Sequence, residues 1–151
     1  NIKFFKSIGY NENLIAAFDK INNVELKELL LNDLKECVIC LAIGQNKSVT
    51  ILAGSIVEAI LMDSIINKGI KDYTVRKNTI KIKDMSLNDL LHVSNEECII
   101  PKTTYHLSHF IKDYRNSIHP SYSLRKKINI SDEDVMVTWS ILKKIIENVL
   151  K

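Results

Sequence analysis

Glycine and proline are scarce in this chain, with four and two among 151 residues. Turn-rich sheet proteins and low-complexity chains need more of both, so long helices are the expected building block. Cysteine is limited to three, an odd number, which argues against a disulfide framework and for a reducing cytoplasm. No apolar run is read as membrane-spanning and no cleavable signal is visible, so no membrane partner is expected. There is no internal repeat. The chain opens on Asn1, which leaves open a removed leader or an upstream domain.

What is present is a hydrophobic content of 46% over a length typical of one domain, enough to bury a real core, and residues 1–151 are read as a single domain. Charge is unevenly placed. Up to Ile66 the net charge is −2, over 67–127 it is +6, and the remainder carries −1. A positive field over the middle segment would attract a polyanion, RNA being the obvious one, although a solvated basic surface has the same composition.

Taken in order, residues 1–10 read as an aromatic lead-in, with Phe4, Phe5, Ile8 and Tyr10 laid against the body. Helices are expected at about 11–21, with Leu14, Ile15, Phe18 and Ile21 inward, and at about 24–43, with Leu26, Leu29, Leu30, Leu34, Val38 and Leu41 inward. Cys37 and Cys40 form a C-x-x-C pair in apolar surroundings, with no second ligand pair nearby, and are read as packing. A third helix, about 48–67, is apolar almost all round and marks the centre of a bundle. Gly54, with Ala53 and Ser55, makes a thin spot where another helix can approach closely. Glu58 is a carboxylate inside this apolar run; it either has a cationic partner, for which Arg115 and Lys112 are candidates, or lies on a narrow wet edge.

Between residues 70 and 83 the helical period is lost, and a small hairpin or extended basic loop is expected around Arg76 and Lys77. Ser86 with Asp89, and Ser131 with Asp134, have the spacing of capping pairs that open helices at about 87–93 and 132–150. In the last helix Val135, Trp139, Leu142, Ile146 and Val149 are expected inward. The architecture is an all-α bundle of five or six helices.

The stretch 110–120 carries the chemistry. Phe110, Ile111, Tyr114 and Ile118 recur at helical spacing, while Lys112, Arg115 and His119 share a neighbouring face at spacings of three and four. Pro120 disfavours helical backbone at His119, so the helix is expected to end there and present the imidazole. A fixed cation beside a titratable base can hold a phosphate and move a proton; the same residues at a helix end can equally serve the last carbonyls and the macrodipole. His106, His109 and Asp113 follow at one-turn spacings, but no further ligand is indicated and no metal is expected.

The wording Tyr114-Arg115-Asn116-Ser117-Ile118-His119-Pro120 resembles the signature of the HEPN superfamily of helical domains, in which an arginine, often followed by a polar residue, precedes a histidine, usually by four to six residues. Here the gap from Arg115 is three residues, and from Lys112 it is six. The wording Ala53-Gly54-Ser55-x-x-Glu58-Ala59-x-Leu61 ahead of it is the order expected of bacterial HEPN-like proteins, so the resemblance spans about 48–122.

That resemblance implies a metal-independent endoribonuclease of a toxin-antitoxin or phage-defence system, a homodimer meeting at the signature helix, with an antitoxin or other defence protein as partner and no cofactor. On that reading His119 is the general acid or base, Arg115 holds the phosphate, and Asn116 fixes the imidazole or the phosphate. Glu58, Lys112 and Tyr122 support them, and Arg76, Lys77, Arg125, Lys126 and Lys127 contact RNA. Other members of the superfamily only bind, which makes a dimerisation or nucleotide-binding scaffold the alternative. In a third control mode, nucleotide transfer onto a tyrosine near the motif, the candidate is Tyr122.

Overall fold

The computed structural model describes residues 2–116, 119–121, 124 and 129–151. Among them are seven α-helices: α1 (Ile2–Ser7), α2 (Glu12–Ala17), α3 (Val24–Ala42), α4 (Asn46–Asn67), α5 (Leu87–Glu96), α6 (Lys102–Asn116) and α7 (Asp132–Val149). The fold is mostly helical, as its composition predicts, with one two-stranded antiparallel hairpin, β1 (Asp72–Val75) and β2 (Asn78–Lys81), in the basic stretch. The seventh helix comes from the lead-in, where Ile2–Ser7 is helical. Its end is fixed from the far side of the sequence: Trp139 Nε1 and Lys143 Nζ each donate to the Ile8 carbonyl at 2.8 Å.

α4 is the central helix. It packs against α3, α5, α6 and α7, and buries Val49, Ala53, Ile56, Val57, Ile60, Leu61 and Ile65. By length and composition it is apolar enough to cross a membrane, which corrects the expectation that no run reaches that size. Half of its most apolar window is buried against the other helices, as the core helix of a bundle requires.

Local sequence explains most element boundaries. Asn11 and Asn23 cap α2 and α3 by accepting from Leu14 N and Leu26 N. Ser86 accepts from Asp89 N, and Ser131 with Asp134 closes a full capping box on α7. These bonds occupy amide groups that a helix start leaves unsatisfied. Gly44 ends the α3 side of the α3–α4 connection with φ +74°, a backbone that side chains disfavour. In the hairpin, Arg76 and Lys77 turn at φ 50° and 69°, both left-handed, in the pattern of a two-residue type I′ turn that usually takes Asn-Gly.

Two further expectations need correction. Leu29 is 58% exposed, because the buried stripe of α3 runs through Leu30, Leu34, Cys37 and Val38, about 100° of helical turn away. The signature helix is described as far as Asn116, and His119 lies beyond it in a bend, so the histidine is not the last residue of the helix. Within α6, Ile111 is fully buried and Phe110 stacks on Tyr114 at 4.4 Å. Ile118 lies outside the described residues.

Candidate active site

α6 is anchored by polar bonds in the interior. Thr104 Oγ1 donates to Asn148 Oδ1 of α7 at 2.8 Å, and the Ser108 hydroxyl donates to the Thr104 carbonyl at 2.6 Å. The bond from Thr104 to Asn148 ties this face of α6 to α7, and Lys112, Arg115 and Asn116 emerge on the side facing α4 and α5. Arg115 then crosses α4 at Gly54. A Cβ built there would stand 2.7 Å from Arg115 Cδ and 3.3 Å from Cγ, so only glycine leaves room for the arginine stem.

One helical turn along α4 from Gly54 stands Glu58, and its Oε2 accepts from Arg115 Nη1 in an ion pair. The two side chains are 27% and 33% exposed, so the pair is neither fully buried nor free in solvent. Lys112, one turn before Arg115, donates to Asn88 Oδ1 of α5 at 3.4 Å and lies 3.6 Å from Asp113 Oδ1. Glu58, Asn88, Lys112, Arg115, Asn116 and His119 line one cleft of about 390 Å³. Its floor at α5 is formed by Ser86 and the buried Leu87.

Five residues singled out in the sequence, Glu58, Lys112, Arg115, Asn116 and His119, are therefore brought together. Arg76 and Lys77 are not among the residues lining this cleft; they form the tip of the hairpin. Tyr122, Arg125, Lys126 and Lys127 lie outside the described residues. Asn88 was missed. Nothing local marks it, since it looks like a surface residue in the first turn of a capped helix and reaches the cleft only through the packing of α5 against α4 and α6.

His109 and the cysteines are not among the residues lining the cleft. His109 has its pKa lowered, first by burial and then by the nearby Lys112 charge, and its ring meets the edge of Tyr105 at 4.7 Å. Among the described residues, no three His, Cys, Asp or Glu side chains converge as a metal site, so His106, His109 and Asp113 do not form one. Burial pushes the Cys37 thiol up to about 12, which leaves it protonated and unreactive, its Sγ 3.9 Å from the Val49 carbonyl. Cys37, Cys40 and Cys98 are all free thiols.

Chemically, the cleft holds two cationic side chains, an exposed imidazole and two amides around a space open to solvent. One cation, Arg115, already has a carboxylate partner. An incoming phosphate would compete with Glu58 for the guanidinium or bridge from Lys112. No family model matches the chain, no curated protein matches it, and no solved structure does.

Proposed function

We propose that this chain is a metal-independent endoribonuclease of the HEPN type, a toxin or defence protein of the bacterial cytoplasm. What supports the reading is that Arg115, Asn116 and His119, the residues of the HEPN-like wording, line a single cleft together with Lys112. In the reaction, the ribose 2′-oxygen attacks the adjacent phosphorus as its proton passes to a base. The bond from phosphorus to the 5′-oxygen breaks, that oxygen takes up a proton, and the products are a 2′,3′-cyclic phosphate and a 5′-hydroxyl. His119 serves as the base or the acid, while Arg115 and Lys112 stabilise the charge that develops on the phosphate oxygens.

A homodimer through α6 belongs to this reading, because it would join two shallow clefts into one long enough for several nucleotides. Leu107 of α6 and Met136 and Val137 of α7, each more than 40% exposed, offer an apolar strip for that contact. RNA is the substrate, and an antitoxin or other defence protein is the partner.

The alternative, a non-catalytic dimerisation or nucleotide-binding scaffold, is favoured by one observation: Glu58 already neutralises Arg115. Cleavage assays separate the two. On the ribonuclease reading, purified protein cuts single-stranded RNA in excess EDTA and leaves cyclic phosphate ends. His119→Ala lowers the rate by about 10² to 10⁴ while keeping most RNA affinity. Wild-type protein that cuts no RNA rejects the ribonuclease in favour of the scaffold, and activity that survives His119→Ala rejects the assignment of His119 as the acid or base.

A further inference from the structure

Two cations reach the cleft, and the structure holds them differently. Arg115 ends on the Glu58 carboxylate, so its charge is largely cancelled where it stands. Lys112 is held by an amide. Its Nζ donates to Asn88 Oδ1 of α5 at 3.4 Å, on the cleft wall, and lies 3.6 Å from Asp113 Oδ1. Asp113 is the next residue on α6, its side chain is 70% exposed, and it is not among the residues lining the cleft. Successive side chains on a helix diverge by about 100°, so the ammonium stands at the rim, between an oxygen on the cleft wall and one on the outer surface. Both contacts are long, and neither locks it. Asn88 itself is firmly placed. It stands in the first turn of α5, whose start is closed by Ser86 accepting from Asp89 N at 3.2 Å and donating to Asp89 Oδ2 at 2.9 Å, and whose Leu87, Leu90 and Leu91 are buried.

We infer that Asn88 is a positioning residue of this cleft: its carbonyl oxygen draws Lys112 away from Asp113, so that an uncancelled positive charge faces the substrate phosphate. The inference rests on the ribonuclease reading for its choice of RNA as ligand. An amide suits the task. An ammonium has three donors and no acceptor, so the oxygen of Asn88 can orient it and still leave N–H groups for a phosphate. A carboxylate at the same place would orient the lysine too, but would neutralise it, as Glu58 does for Arg115. Without the amide, only the second of the two contacts remains, and the ammonium turns outward to Asp113. An exposed carboxylate holds a lysine weakly, which is why one neutral oxygen can decide the balance.

The experiment measures binding, so that it stands apart from cleavage. The His119→Ala protein is titrated with a uridine octamer by fluorescence anisotropy over a range of salt concentrations. Withdrawing Lys112 from one phosphate lowers the salt slope by about 0.7, which corresponds to about fivefold in affinity at 0.1 M salt. Adding Asn88→Ala is expected to produce that loss with an unchanged thermal midpoint, since alanine is a good helix former. In a protein that also carries Lys112→Ala, Asn88→Ala should change neither affinity nor slope, because Asn88 acts through the lysine. Asp113→Asn should recover more binding in the Asn88→Ala protein than it adds to the parent. The inference is overturned if Asn88→Ala has no effect, if its effect persists without Lys112, or if Asp113→Asn adds equally to both proteins. If the Asn88 effect is found but wild-type protein cuts no RNA, the ribonuclease falls and the positioning role stands. Binding of no octamer at high micromolar concentration removes both.

Discussion

The stem of Arg115 lies across Gly54 so closely that a Cβ at residue 54 would stand 2.7 Å from the arginine Cδ. Glu58, on the same face of α4, then receives the guanidinium. Gly54 and Glu58 together act as a saddle and a stop: one gives the arginine its path, and the other sets where its charge ends.

That relationship makes Gly54→Ala an unusual glycine substitution. In a helix interior, alanine is normally worth up to about 1 kcal/mol over glycine. Here it should destabilise by about 1–3 kcal/mol, because the stem of Arg115 must be displaced. In an Arg115→Ala background the same change should become neutral or stabilising. Chemical denaturation of the four proteins of this cycle reads the coupling, and additive effects would mean that Gly54 is there for some other neighbour.

Glu58→Gln keeps the shape of the carboxylate while removing its charge. Fully buried pairs lose about 3–5 kcal/mol when one partner goes, and exposed ones less than about 1. With about a third of each side chain exposed, a loss of about 1–2 kcal/mol is expected. The variant should also bind RNA more tightly, since Arg115 is released to a phosphate, and the salt dependence of single-strand binding should steepen by about 0.7. An unchanged affinity and salt slope would show that Arg115 does not reach the nucleic acid.

The sequence carried the parts of this arrangement that depend on local spacing. Ser86 with Asp89 and Ser131 with Asp134 are capping pairs because a hydroxyl at a helix start reaches an amide three residues on, whatever the tertiary structure. The all-round apolar character of 48–67 marked the central helix. A carboxylate in that helix called for a cationic partner or a wet edge, and Glu58 has something of both: it pairs with Arg115 and stays 27% exposed. What stayed hidden depends on how elements meet. Gly54 was legible as a place of close approach, but not that an arginine stem would fill it. Asn88 enters the cleft only because α5 is packed beside α6. Leu29 looked like core because an apolar residue one step off the stripe has the same composition as one on it. The hairpin itself was legible around Arg76 and Lys77 from the loss of the helical period, but not its turn, since Arg76-Lys77 is an uncommon pair for two left-handed residues.

The start of α7 gives the fold an acid-sensitive point close to the signature helix. The Asp134 carboxyl has its pKa lowered, first by the Ser131 backbone N–H at 3.0 Å, then by the Ser131 hydroxyl, with the Tyr114 hydroxyl of α6 as a further donor. Tyr114 is pushed the other way, by burial first and then by its hydrogen bond to the Asp134 carboxylate. A carboxylate with a depressed folded pKa contributes stability that is fully present above its unfolded value, about 3.9, and is lost as pH falls through the lower folded value. Asp134→Asn removes that contribution at neutral pH but has nothing further to lose in acid. Urea midpoints of the two proteins should therefore differ at pH 7 and converge as pH falls below about 4, with the wild-type curve falling more steeply. Parallel curves across that range would show that the Ser131–Asp134–Tyr114 cluster does not stabilise the ionised carboxylate in the folded chain.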